Sequence, residues 1–260
     1  MPIVLGIDAA WTPDGSSGIA LLRSENGKRE ILAAHDSYDA FIGAHGTGKG
    51  SYRLPDVEAI LKAAYDRAGT AVSVVAIDMP LSRNAITRRR EADNAISREF
   101  GGRWASTHSP NTERPGIHGK RIQDAFEAAG FVLVTGLDEP RPIRCLIECY
   151  PLAALVNLLN ADKRPAYKSG KRYKHASASN DRITDLLVEW EKIRSALATE
   201  IAELPFVVRK RADVSFRTSL KGQEDTLDAI ICAWVGARFA ESTATPYGDE
   251  DAAIWVPHVR

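Results

Sequence analysis

A chain of 260 residues, 44% hydrophobic and 26% charged, is ordinary for a globular protein and long enough for one large domain or two small ones. A globule of that size buries roughly 75% of its unfolded surface, so neither disulfide nor metal is needed to fold it. Its 34 Lys and Arg residues balance 34 Asp and Glu residues, so any nucleic-acid contact must come from local patches rather than bulk charge.

Three cysteines, Cys145, Cys149 and Cys232, do not make a disulfide framework and suit a reducing compartment. Cys145 and Cys149 lie four apart in an apolar segment and read as buried thiols rather than zinc ligands. The opening apolar run Ile3-Val4-Leu5 is too short for a signal peptide, and no stretch approaches the ~18 apolar residues of a membrane span. The expectation is a soluble cytoplasmic protein.

In chain order, residues 3–8 form an apolar run ending in Asp8, as expected of a central strand buried on both faces. Segments 17–23 and 29–35 read as two more strands joined by a polar turn at 24–28, hence an antiparallel meander. Residues 43–52 read as a loop, and Pro55-Asp56 open a helix that runs to about Arg67 and ends at Gly69. A second apolar strand, 72–78, ends in Asp78. A helical, charged stretch is expected over 84–100, an irregular one over 101–118, a helix over 119–129 and a short strand over 131–134. A third apolar strand, 143–148, ends in Glu148. Helices follow at about 152–160, 180–203 and 225–241, with a basic loop between Lys163 and His175. One mixed sheet covered by helices accommodates this order as a single domain spanning 1–260, with 81–130 as an insertion that could form a lid.

If the strands ending in Asp8, Asp78 and Glu148 are parallel neighbours, three carboxylates meet at the sheet edge where open α/β sheets place their ligands. Two like charges about 4 Å apart repel by roughly 4 kcal/mol at an effective dielectric near 20, so protons or hard divalent cations must relieve them. Asp225 and Asp228, three apart, share a helix face; their bland explanation is the N-terminal helix dipole. The rest of that helix is apolar nearly all round, which buries it.

The set Gly6-Ile7-Asp8, Ile77-Asp78-Met79-Pro80, Glu148-Cys149-Tyr150-Pro151 and Asp225-Thr226-Leu227-Asp228-Ala229 resembles domain-of-unknown-function family 429, described as predicted nucleases of the RNase H-like fold. The Asp-x-x-Asp-Ala helix start is also similar to the Holliday-junction resolvases of that superfamily. The resemblance implies an α/β fold with a five-stranded mixed sheet in order 3-2-1-4-5 and a helical or irregular insertion after strand 4. It also implies a carboxylate site holding two ions, Mg²⁺ or Mn²⁺, about 3.5–4 Å apart. Asp8 would bridge both ions, Asp78 and Glu148 would add ligands, and Asp225 or Asp228 would close the site; spacing leaves open which of the last two coordinates.

Other segments carry weaker signals. Arg83, Arg88, Arg89 and Arg90 follow the second acidic strand and could face phosphates, or pair with Glu91 and Asp93 on a solvated helix. The segment 163–175 interleaves six basic residues with Tyr167 and Tyr173, a pattern suited to phosphate contact and base stacking. Lys168, Lys171, Arg172 and Arg88 are therefore the expected nucleic-acid contacts. His108 and His118 read as surface histidines, and Trp190 and Trp234 as core residues. No Walker-type loop is present. The leading expectation is a metal-dependent nuclease acting on DNA or RNA. The alternatives are a non-catalytic nucleic-acid or ligand-binding protein and, further off, an actin-like or sugar-kinase phosphotransferase, whose glycine-rich phosphate loops are missing after Asp78.

Overall fold

The computed structural model describes residues 1–12, 15–43, 54–137, 140–170 and 181–258. Along the chain come β1 (Ile3–Asp8), β2 (Gly18–Glu25), β3 (Lys28–His35), α1 (Tyr38–Ile42), α2 (Val57–Ala68), β4 (Val74–Ile77), α3 (Glu91–Phe100), α4 (Ile117–Ala128), β5 (Val132–Leu133), β6 (Cys145–Cys149), α5 (Pro151–Leu158), α6 (Arg182–Glu200), α7 (Lys221–Ala240), β7 (Ala244–Gly248) and β8 (Ala253–Pro257). The loop expected at 43–52 lies, after Gly43, outside the described residues.

The first three strands are the expected meander, turned between β2 and β3 by Asn26 at φ 49° and Gly27 at φ 77°. Asn-Gly tolerates such angles, and the tight turn they make matches the twist of a hairpin. β1, β4 and β6 are parallel neighbours. Among the described residues the sheet is mixed and eight-stranded, in order β3-β2-β1-β4-β6-β8-β7, with β5 also on β6. This corrects the expectation of five strands in order 3-2-1-4-5. The extra strands are the C-terminal hairpin β7–β8, which extends the sheet past β6, and β5, which is only two residues long. Trp255 of β8 is fully buried, and its Nε1 donates to the Val134 carbonyl at 2.9 Å. The C-terminal residues pair with a strand more than a hundred positions earlier, which local pattern does not reveal.

Alternate residues of the central strands enter two separate cores. Val4, Ala20, Leu22, Val74, Ala76 and Ile147 face α3, α5, α6 and α7. Ile3, Leu5, Ile7, Val75, Ile77 and Leu146 face α1, α2 and α4. Period-two alternation within an apolar run is what sandwiches a strand between two helical layers. Residues 81–130 contribute to both layers, through Ala92, Ile96 and Phe100 of α3 on one side and Ile122 and Phe126 of α4 on the other.

The helix expected from Asn84 begins only at Glu91. Residues 81–83, which lead into this segment, are committed to tertiary bonds. The Leu81 amide donates to Glu148 Oε2 at 2.8 Å, the Ser82 amide to Gln123 Oε1 at 3.1 Å and the Arg83 amide to the Asp251 carbonyl at 2.9 Å. Conversely, α7 begins four residues before the expected start, at Lys221. Asp225 and Asp228 therefore lie beyond the first turn, where the dipole no longer accounts for them.

α7 lies almost against the sheet backbone. A Cβ on Gly6 would sit 2.2 Å from the Ala233 amide nitrogen, and one on Gly18 would sit 2.0 Å from the Asp225 carbonyl oxygen. On the helix side, a Cβ on Gly236 would meet Val4 Cγ1 at 2.5 Å. Farther along, buried Arg29 of β3 ties α6 and α7 together by pairing with Glu200 at 3.0 Å and with Glu241. All three cysteines are buried thiols. No helix among the described residues is long and apolar enough to cross a membrane.

Candidate functional site

The register brings the strand-end acids level. Ile7 pairs with Ile77 and Ile77 with Glu148, and the Asp78 amide donates to the Ile7 carbonyl at 2.9 Å. Asp8, Asp78 and Glu148 thus come to one edge from three adjacent parallel strands. Asp8 also pairs with Gly18, whose missing side chain admits the Asp225 backbone of α7. The close seating of α7 carries Asp225 and Asp228 to the same edge, both fully buried. β6 stops one residue after Glu148, at Cys149, and Pro151 at the start of α5 supplies a first-turn residue that needs no amide partner.

Three of these acids have cationic partners. Glu148 accepts from Arg90 through both oxygens, at 2.6 and 2.7 Å, while Arg90 also grips Asp93 at 2.9 Å. With its bond to the Leu81 carbonyl at 2.7 Å, Arg90 uses all five guanidinium donors. Glu148 thereby anchors the 81–93 segment. Burial pushes its carboxyl up, with Arg90 opposing. Asp225 accepts from Ser16 Oγ on one oxygen and from Lys221 Nζ on the other. Asp228 accepts from the Tyr167 hydroxyl at 2.8 Å on one oxygen and from Lys168 Nζ on the other. A further acid, Glu224, lies 3.2 Å from Lys221 Nζ and 3.8 Å from Lys168 Nζ and accepts from the Ser169 amide. Burial works against the ionised form of Glu224, but the two lysines and Ser169 outweigh it and hold the carboxyl below its usual range.

Asp8 and Asp78 are different. Both are half-buried, and neither carboxylate has a hydrogen-bond or ion-pair partner among the described residues. Burial, then the nearby charge of Asp228, pushes Asp8 well above the carboxylate range. Burial likewise lifts Asp78 to about 7, against the pull of Lys168. Asp225 and Asp228 are raised by burial even beside their lysines. Lys168 stays charged: burial works against its ammonium, but Asp228, Tyr167, Asp8 and Glu224 overcome it.

The other sequence candidates scatter. Lys168 is inside the carboxylate cluster rather than on a solvated basic loop, and Tyr167 beside it is fully buried, its carbonyl accepting from Trp190 Nε1 at 2.7 Å. Lys171 and Arg172 lie outside the described residues, as does Tyr173. Arg89 is bound to Asn94, Ser97 and Ser109. Arg88 is exposed and lines a cleft of about 540 Å³ together with Ser82, Asn84, Thr87, Asn94 and Asp251.

Sequence reasoning missed Glu224, Lys221, Ser16 and the role of Lys168. Lys221 was legible, being three and four residues before Glu224 and Asp225 on one helix. Lys168 was not, because only folding brings it some sixty positions along the chain to Asp228.

Among the described residues, no group of three or more His, Cys, Asp and Glu side chains is arranged to hold a metal ion unaided. The five-carboxylate ligand set expected from the resemblance is gathered at one edge, but arginine and lysine engage three of its members. Asp8 and Asp78 remain as hard oxygen donors. Their chemistry is that of the one or two carboxylates through which proteins commonly bind a small divalent ion, together with water and substrate phosphate.

No curated protein and no solved structure matches the chain. A family model does match, over residues 6–252, which takes in the second half of β1, all of β4, β6 and α7, and all five sequence-predicted acids. The chain belongs to the family described as Protein of unknown function (DUF429).

Proposed function

We propose that this protein is a divalent-cation-dependent phosphodiesterase acting on DNA or RNA, built on an RNase H-like form of the mixed sheet and working in a reducing, cytoplasmic setting. The observation that carries the reading is the pair Asp8 and Asp78, adjacent at the end of parallel strands, half-buried and without partners among the described residues. Holding two such carboxylates half-buried with no direct partner among the described residues costs stability, and sites that bear this cost are commonly functional. Asp8 and Asp78 would hold Mg²⁺ or Mn²⁺, which would supply Lewis-acid polarisation of the phosphoryl oxygens. The neighbouring residues keep the site in shape. Lys168, Lys221, Tyr167 and Ser16 hold Asp228 and Asp225 in fixed orientations, and the Arg90–Glu148 pair fixes the strand edge beside Asp78. Arg88, exposed on the cleft that Arg90 also lines, would supply a contact to the phosphate backbone.

The test is incubation with labelled single-stranded, duplex and branched DNA and RNA in Mg²⁺, Mn²⁺ or EDTA, beside Asp8→Asn. Cleavage is expected to need metal and to fall at least about a hundredfold in the variant. Metal-independent cleavage, or full activity in Asp8→Asn, would overturn the assignment. One observation favours the second reading, a non-catalytic nucleic-acid or ligand-binding protein: Lys168 and Lys221 already offset much of the cluster's charge. Under that reading no substrate is cut and no metal binds.

A further inference from the structure

Resting on the reading above, we propose that the site takes a single divalent ion, at Asp8 and Asp78, and that the Lys168 ammonium occupies the place beside Asp228 that a second ion would need. The sequence resemblance implies two ions shared among five carboxylates. The structure allots those carboxylates otherwise. Both oxygens of Asp228 take donors, from Tyr167 and Lys168. Both oxygens of Asp225 do so from Lys221 and Ser16. Both oxygens of Glu148 do so from Arg90, joined by the Leu81 amide. Of the five, only Asp8 and Asp78 have no such donor among the described residues.

Lys168 is anchored rather than adventitiously near. Tyr167 before it is buried and bonded through its hydroxyl to Asp228 and through its carbonyl to Trp190. Ser169 after it donates its amide to Glu224 and gives its carbonyl to Arg217 Nη2. With both neighbours fixed, the Lys168 side chain is directed into the cluster, and its ammonium contacts Asp228 and lies 3.8 Å from Glu224. A divalent ion at Asp228 would have to displace this ammonium and face a like charge that the chain holds in place. The tethered cation therefore does one of the two electrostatic jobs of a metal pair, and it needs no metal to do it.

Titrating Mn²⁺ into the full-length protein by calorimetry, with the electron paramagnetic resonance spectrum recorded at saturation, tests this without reference to turnover. The wild type is expected to bind one ion per chain with the spectrum of an isolated Mn²⁺, and Asp8→Asn to lose it. Lys168→Met, whose unbranched side chain is one atom shorter and carries no charge, is expected to gain a second ion and spin coupling. Two ions in the wild type would overturn the inference while leaving the metal site standing. So would one ion in a folded Lys168→Met, since Lys168 would then not be what excludes the second. No ion in any form would overturn the metal-dependent reading itself. Should Lys168→Met fail to fold, the wild-type stoichiometry and spectrum still decide.

Discussion

Asp78 carries a pH dependence whose sign follows from its surroundings. Burial raises its carboxyl from 3.8 to about 7, so between those values the folded chain holds a proton that the unfolded chain has released. Stability must fall as pH rises through that window, and the penalty is complete above it. Asp78→Asn, which resembles the protonated acid, is therefore expected to raise Tm at pH 8 and leave it nearly unchanged at pH 4. For a chain of this size each kcal/mol recovered corresponds to about 2–4 °C. Thermal unfolding at the two pH values checks this, and an equal shift at both would mean that charge burial is not the cause. Glu148 illustrates the opposite situation, because the Arg90 fork compensates its charge and makes it an anchor for residues 81–93. Two strand-end acids that look alike in sequence thus have different roles, decided by which one meets an arginine.

At the level of elements, the site depends on how closely α7 approaches β1 and β2. Gly6 and Gly18 face helix backbone, which cannot move aside as a flexible side chain can. Gly6→Ala would push α7 off the sheet, separating Asp228 from Asp8 and opening the core that α7 shares with α3, α5 and α6. The cost is expected at about 3 kcal/mol or more, the upper range for overpacking, measurable by denaturant unfolding. A loss under about 0.5 kcal/mol would show that the helix has room to spare. Elsewhere the elements were legible to different degrees. β1, β4 and β6 announced themselves as apolar runs ending in acids, and α2 by its Asp56 cap and Gly69 terminator. The 84–90 segment looked helical because it is charged and leads into α3, yet it is irregular, and the residues just before it, Leu81, Ser82 and Arg83, commit their amides to Glu148, Gln123 and Asp251. Those partners come from three distant stretches of chain. The β7–β8 hairpin was obscured by Pro246 and the acidic turn after Gly248, and it took its place only by pairing with β6.

For the molecule as a whole, a net charge of zero means that polynucleotide contact would rest on a few groups such as Arg88. If nucleic acid lies along the cleft, Arg88→Ala should weaken binding uniformly across sequences and lower the slope of log K against log salt by about one. Fluorescence anisotropy at several salt concentrations reads this out. An unchanged slope would remove the cleft from the interface. Lys168, first grouped with the surface cations, should leave that slope unaltered, since its charge is spent on Asp228.

The amino-acid sequence by itself determined the α/β class, the family and the meeting of acids at one sheet edge. These follow from local facts: apolar runs that must be buried on both faces, and acids at their ends. Which acids stay open was decided only in three dimensions. Arg90 reaches Glu148 across 58 positions, and Lys168 reaches Asp228 across 60. A carboxylate's chemistry depends on the cation beside it, and nothing in local spacing specifies that neighbour.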